Sequence, residues 1–220
     1  GRLDREAFLR QLELCPPEKL EFPITVIGAG AIGSSAVLAL TKMGCSNITV
    51  WDHDSLEKHN VSNQICKLSL LGQPKVHALA SLIEELTSVK IRAVPEKYED
   101  QQLSGVVISS VDDMDVRKQI WDNIKLKFSV PFFIDPRMGA EFARIYAGKP
   151  CDLDFVSFYE DNLYSSEEAE ELPCSARAII YCPIIIGGII AFLVKSYAMQ
   201  KPVAQEILFD IVSLKLYANM

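Results

Sequence analysis

The sequence predicts an α/β fold of the Rossmann-like, doubly wound kind: a mainly parallel sheet, with antiparallel strands added in the C-terminal part. Three observations carry this. An apolar run of strand length ends in Gly28 and opens the pattern Gly28-x-Gly30-x-x-Gly33, which runs into a helical period. Strand-like and helix-like segments then alternate as far as Asp135, the pattern of a parallel sheet wrapped by helices. Beyond residue 140, Glu141 to Tyr146, Asp154 to Phe158 and Glu206 to Tyr217 alternate apolar and polar residues in the manner of antiparallel strands.

The elements follow in order. Asp4 to Leu14 starts on an acid and has apolar Ala7, Phe8 and Leu12, so it reads as a short helix, stopped by Pro16-Pro17. Pro23 to Ile27 is the first strand. Ala31 to Met43 is a helix ended by Gly44, and Asn47 to Asp52 is the second strand. Lys75 to Leu86 repeats at helical period, and Val89 to Val94 is a short third strand. Val106 to Val111 is a fourth, followed by a helix from about Asp115 to Ile124, and Pro131 to Asp135 is a fifth. No repeat or linker interrupts the series. The expectation is one domain over 1–220, with an N-terminal helical segment (1–22), a first half (23–140) and a C-terminal half (141–220).

Composition narrows the function classes. The 220 residues are 49% hydrophobic and 23% charged, with 11 Gly and 11 Pro, which excludes collagen-like and broadly disordered chains. The formal charge of −7, with no Lys/Arg run, argues against a reader of nucleic acid, although a bound nucleotide needs only local donors. The cysteines at 15, 45, 66, 151, 174 and 182 form no CxxC pair, and the histidines stand at 53, 59 and 77, so no zinc site is expected. No signal-peptide pattern heads the sequence, and the expected setting is the cytoplasm, with free thiols. Ala178 to Val194 carries no charge and lies at the lower limit of a membrane span. Pro183 and Gly187-Gly188 suit close helix packing better than a simple anchor.

The glycine pattern has a specific physical meaning. Gly28 permits the tight turn, Gly30 lets backbone approach a phosphate, and Gly33 lets the helix pack against the strand, while the helix N-terminus offers free amides to an anion. Asp52 closes the next strand, where a carboxylate can accept from ribose hydroxyls. A dinucleotide site satisfies all of this, and a glycine turn without ligand is the plainer alternative. The residues that follow favour a triphosphate. Lys75 can bring charge to phosphates, and Asn60 and Gln64 can bring neutral donors. Asp112 lies at the carboxyl edge of the sheet, where a carboxylate can hold magnesium. The alternatives are a solvated lysine at a helix start and a helix cap.

In these stretches the chain resembles the HesA/MoeB/ThiF family, adenylyltransferases related to ubiquitin-activating enzymes. The matching wording is GAGAIGS (28–34), DHD (52–54), HNVSNQ (59–64), GQPK (72–75), VDDMDVR (111–117) and PCSARAIIYCPIIIGGIIA (173–191). DPRMG (135–139) and PCSAR (173–177) are similar to small stand-alone members from bacteria and phages. The resemblance implies MgATP-dependent adenylation of the C-terminal glycine of a small ubiquitin-like protein, release of pyrophosphate, and a homodimer, with 23–140 as the nucleotide-binding half, 141–220 as the substrate and dimer half, and Ala178 to Val194 as a core and interface helix without a membrane role. It implies that Gly28, Ala29, Gly30, Ile32 and Gly33 line the phosphate loop. Asp52, with Asp54 beside it, binds ribose, and Asn60, Gln64 and Lys75 contact phosphates. Asp112 binds magnesium. Asn63 stands in the same nucleotide-contacting stretch but departs from the family, most of whose members carry an arginine there for the triphosphate. Arg137 is one substitute. Arg10 is another, in Phe8-Leu9-Arg10-Gln11, which is similar to an N-terminal Arg-Gln that reaches the neighbouring subunit's ATP. The family resemblance also draws attention to Cys174, since in some relatives a cysteine near this place accepts the acyl group as a thioester or acyl disulfide; the alternative is a buried structural cysteine. Two further functions stay open. One is a nucleotide-binding scaffold of the same fold with little catalysis, motivated by Asn63. The other is an NAD-dependent oxidoreductase, supported by the glycine pattern and Asp52 alone.

Overall fold

The structure is a computed structural model, and it describes residues 5–163 and 178–219. Eight strands form one sheet in the order β3-β2-β1-β4-β5-β6-β7-β8. The strands are β1 (Ile24–Ile27), β2 (Ile48–Trp51), β3 (Arg92–Val94), β4 (Val106–Ser109), β5 (Phe132–Gly139), β6 (Phe142–Gly148), β7 (Glu206–Asp210) and β8 (Lys215–Asn219). The first five pair in parallel, and β5 through β8 pair antiparallel, as the sequence predicts. The order 3-2-1-4-5 is that of a dinucleotide-type half-sheet, whose crevice opens where the strand order reverses between β1 and β4.

Helices cover both faces because the strands are apolar on both. On β4 every residue is buried: Val106 and Ile108 face one core and Val107 the other. The first core receives α1 (Ala31–Met43) and α2 (Lys75–Thr87); the second receives α3 (Met114–Ile124) and α4 (Leu153–Glu160). The final helix, α5 (Tyr181–Ala198), packs on α1 in the first core. A methyl at Gly187 would lie 2.8 Å from the Ser35 backbone of α1, so glycine sets this close approach. Nearer the C-terminal end of α5, Tyr197 stacks on Phe132 of β5 at 4.9 Å.

One expectation is corrected. Asp154 to Phe158 was expected as an antiparallel strand and is instead part of α4. Phe155, Val156 and Tyr159 recur at helical spacing and are buried, and the Asp152 side chain caps the helix by accepting from the Asp154 N–H at 3.0 Å. Elsewhere the differences are of extent. Residues 5–11 form a 3-10 helix, β3 pairs only from Arg92, and β5 runs on to Gly139. The stretch from Glu206 divides into β7 and β8. The Asp210 carboxylate accepts from the Val212 and Ser213 N–H groups and turns the chain between them.

By length and composition α5 could cross a membrane, yet 44% of it is buried in this fold. Cys182, Pro183, Ile186, Gly187, Ile190, Leu193 and Val194 face inward. Tyr181, Ile184 and Phe192 form an uncharged outer stripe, with Ile184 at 51% and Phe192 at 57% exposure. Pro183 sits in the first turn, where its missing N–H disrupts no helical bond.

Candidate functional site

β1 and β4 run side by side, with Ile27 opposite Ser109, so Gly28 and Ser110 leave the sheet together. Ser110 then clamps the glycine loop. Its N–H donates to the Ile27 carbonyl at 2.8 Å, and its hydroxyl lies 3.0 Å from the Ile27 oxygen and 2.9 Å from the Gly28 oxygen. On the other side the Gly28 N–H donates to the Trp51 carbonyl at 2.8 Å. Gly28 has φ +98°, and a methyl there would lie 2.5 Å from the Ser110 oxygen. A methyl at Gly33 would lie 1.9 Å from the Gly28 oxygen, so the first turn of α1 touches the loop. At Gly30 a methyl would meet nothing within 4 Å among the described residues. The loop is closed by contact at Gly28 and Gly33 and open at Gly30. Gly30 is also the N-cap of α1 and supplies no side-chain cap, so first-turn amides face that open space.

Asp52 reaches this loop from the end of β2. Its Oδ2 accepts from the Ala29 N–H at 2.7 Å and its Oδ1 from the Asp54 N–H at 2.8 Å. The two amides orient the carboxylate, and each oxygen keeps acceptor capacity for hydroxyls. Asp54 holds the Lys75 ammonium at 2.7 Å, while the Lys75 N–H donates to the Asp54 carbonyl at 2.9 Å. The hydrogen bond from Lys75 holds the Asp54 carboxyl below its ordinary pKa. Lys75 is thereby placed at the start of α2 with two ammonium donors left for a ligand.

The 57–65 segment folds over the start of α1, where the Ser34 hydroxyl accepts from the Ile65 N–H at 3.0 Å. Asn60 is buried. Its side-chain oxygen accepts from the Glu57 N–H at 2.8 Å, and its carbonyl accepts from the Asn63 and Gln64 N–H groups. Asn60 therefore shapes the turn, and that oxygen is committed to it. Among the described residues the buried Asn63 Oδ1 has no hydrogen-bond partner. Gln64 and Ile32 are both half-buried.

Asp112 follows β4 and is exposed. The cap of α3 belongs to its neighbour Asp113, which accepts from the Asp115 and Val116 N–H groups. Asp112 is thus outside the cap role and stands on the same sheet edge as the glycine loop. Its hard carboxylate oxygens fit magnesium, which takes one or two protein carboxylates and completes its shell with phosphate and water. Asp52, His53 and Asp54 also bring three potential ligand atoms within 4.8 Å. The amides and Lys75 already engage that cluster, so Asp112 is the better-fitted ligand.

Two sequence-predicted residues lie elsewhere. Arg10 is exposed on the 3-10 helix, whose Gln11 side chain donates to the Met43 carbonyl at 2.7 Å and whose Phe8 lies beside Gly44. That is the far end of α1, about 20 Å from the glycine loop at 1.5 Å per residue over 13 residues. Arg137 is drawn inward. Its guanidinium pairs with the buried Asp135 carboxylate at 2.8–2.9 Å, donates to the Asn162 carbonyl at 3.0 Å and lies 4.7 Å over the Tyr146 ring. Burial opposes its charge, and the adjacent Asp135 more than offsets this, leaving its pKa raised. Its charge is engaged by Asp135 and not presented at the exposed glycine loop. Cys174 lies outside the described residues.

The sequence reading missed the Asp135 network and Ser110. A signal for the first was present: an acid at the end of the apolar run PFFID, with an arginine two residues on, requires a buried partner. Nothing distinguishes Ser110 in sequence from Ser109 beside it.

A family model described as ThiF family matches residues 18–132, just over half of the chain. The chain belongs to the ThiF family. It is 23% identical over 128 residues to the molybdopterin-synthase adenylyltransferase of Haemophilus influenzae, covering 54% of this chain and 53% of that one. The Escherichia coli enzyme of the same name is 25% identical over 128 residues, with 54% and 51% covered. The chain thus spans about half the length of these relatives. A tRNA threonylcarbamoyladenosine dehydratase from Bacillus subtilis is 34% identical over 83 residues, covering 34% of this chain and 33% of that one. Among solved structures, E. coli MccB with MccA superposes with a TM-score of 0.76 at 14% identity, covering 98% of this chain and 71% of that one. MccB with ATP gives 0.66 at 14% identity, with 92% and 65% covered. These structures share the fold.

Proposed function

We propose that this ThiF-family chain is an ATP-dependent adenylyltransferase that activates the C-terminal carboxylate of a small ubiquitin-like protein and releases pyrophosphate. The observation that carries this reading is the convergence of four groups on one sheet edge: the open glycine loop, the amide-oriented Asp52, the Asp54-held Lys75 and the uncapped Asp112. Relatives named as adenylyltransferases support the reaction class.

The chemistry is an in-line attack by the partner's carboxylate on the α-phosphorus. An oxygen–phosphorus bond forms, the bond to the bridging oxygen breaks, and that electron pair leaves with pyrophosphate. The first-turn amides of α1 receive phosphate oxygens at Gly30, and Asp52 holds the ribose. Lys75 places positive charge where negative charge builds on the leaving group. Asp112 would hold magnesium, which supplies charge neutralisation across the phosphates. The protein acts by positioning more than by covalent chemistry.

The apolar stripe of Tyr181, Ile184 and Phe192 supports a homodimer, and Arg10, remote from its own glycine loop, is assigned to the partner's nucleotide. The free thiols at 15, 45, 66, 151 and 182 accord with a cytoplasmic setting. A second reading has one specific observation behind it. Asn63 is neutral and Arg137 is engaged elsewhere, so a nucleotide-binding scaffold of low activity is the competing function.

Exchange of labelled pyrophosphate into ATP separates the readings. Partner-dependent exchange, lost by roughly 100-fold in Lys75→Ala or Asp112→Ala while both stay folded, supports adenylation. ATP binding with no exchange in wild type leaves the scaffold. Binding of NAD without ATP overturns both.

A further inference from the structure

The β4–α3 loop that carries Asp112 is held from beneath by a buried ionic hub. Arg117, in the first turn of α3, is buried. One guanidinium nitrogen donates to the backbone oxygen of Val111, the residue before Asp112, and the other donates to Asp135 Oδ1. Asp135 is fully buried on β5. Its Oδ2 accepts from the Tyr159 hydroxyl at 2.8 Å and from Arg137 Nε at 2.9 Å. Tyr159 in turn packs among Trp121, Phe133 and Phe155. One carboxylate thus connects α3, α4 and β5 to a single peptide plane, that between Val111 and Asp112.

Stability is a poor explanation for this hub. Removing charges from water opposes folding, and buried ion pairs are often matched or exceeded in stability by apolar residues of the same volume. The arrangement does supply geometry. A planar guanidinium fixes two acceptors at a set separation, which a lysine ammonium does not reproduce. The fork is aimed at the peptide of the one acid in the loop that the helix cap does not use.

We propose that Arg117, braced by Asp135, is a positioning residue that sets the Val111–Asp112 peptide and so aims the Asp112 carboxylate at the nucleotide site. The proposal rests on the reading of Asp112 as the carboxylate that meets magnesium and ATP.

The test uses the full chain, without a protein partner, and three variants. Amide hydrogen exchange is followed across residues 110–116, and ATP affinity is measured by calorimetry with and without Mg2+. For Arg117→Lys, the expected result is at least tenfold faster exchange in 110–116 with β1 unchanged. Mg2+-dependent ATP affinity falls about tenfold, and Mg2+-free affinity stays within twofold. Exchange that rises equally throughout the fold, or affinities that fall together, marks a merely structural residue and overturns the proposal. Tyr159→Phe loosens the brace without altering a charge, and serves if Arg117→Lys does not fold. A smaller loss in the same direction is expected, and no change in either readout overturns the proposal. Asp112→Asn separates the two layers. If it keeps the full Mg2+-dependent affinity, the reading of Asp112 falls and the positioning role with it. If it loses that affinity while Arg117→Lys keeps it, only the positioning role fails.

Discussion

Alanine at Gly33 and alanine at Gly30 make a matched pair with opposite expected outcomes. At Gly33 the new methyl would lie 1.9 Å from the Gly28 carbonyl oxygen, 2.9 Å from its carbon and 2.9 Å from the Ser110 hydroxyl. Ordinary contact begins near 3.4 Å, so α1 and the glycine loop must separate by about 1.5 Å. The obstacle is backbone, clamped by Ser110 and the Trp51 carbonyl, and it cannot rotate aside as a side chain would. Overpacking of this kind costs about 1–3 kcal/mol, against roughly 1 kcal/mol gained by replacing glycine inside a helix. Because the obstacle is backbone at 1.9 Å, the upper end of that range applies, and the resulting net loss of about 2 kcal/mol lowers Tm by roughly 4–8 °C in a chain of this size. ATP affinity falls as well, because the same displacement distorts the loop. Gly30→Ala has no neighbour to displace and is expected to leave Tm unchanged within about 2 °C while weakening ATP at least tenfold, its methyl standing where phosphate approaches. Calorimetric melting and ATP titration of both variants decide the matter. Equal stability of Gly33→Ala and wild type, or full ATP affinity in Gly30→Ala, refutes the reasoning.

Further outcomes follow from other parts of the structure. Asp54 has a depressed pKa, so the Lys75 pair is present above the ordinary carboxylate value of about 3.9 and is lost as pH falls through the lower folded value. ATP affinity is therefore expected to hold from pH 7 to about 5, and Asp54→Asn should weaken it severalfold over that whole range rather than shift its acid limb. Burial, with Cys15 adding to it, pushes the Cys45 thiol up to about 12, so alkylation at pH 8 should leave Cys45 unmodified in the native protein and label it after denaturation. Native labelling of Cys45 would contradict its burial. Phe192→Glu places a charge in the outer stripe of α5 and should convert a dimer to a folded monomer in light scattering. A wild-type protein that is already monomeric removes the interface.

The β-α-β part of the fold was legible because its signals are local. Strand length, the glycine pattern and Gly44 each follow from a few neighbouring residues, and all reappear in place. Asp154 to Phe158 was misread because four or five residues of mixed polarity satisfy a strand and a helix period equally; the deciding feature was the Asp152 cap just before them. At the site, the positions of Lys75 and Asp52 were legible since both stand at element ends on the carboxyl edge of the sheet. The packing of Asn60 and Arg137 was not. Both are polar side chains with donors suited to phosphate, and only tertiary structure shows that Asn60 closes a turn and Arg137 answers Asp135. The assignment of the α3 cap to Asp113 rather than Asp112 likewise depends on where the helix begins, a difference of one residue.

The central claim concerns which phosphate bond this chain breaks, and for what acceptor. A single turnover with ATP labelled at the α-phosphorus, alongside a ubiquitin-like protein ending in glycine, measures this directly. The expected result is α-label on the partner, at its C-terminal carboxylate, together with one equivalent of pyrophosphate. Lys75→Ala and Asp112→Ala should lose that transfer. Release of inorganic phosphate from the γ-position with no label on the partner would contradict the claim.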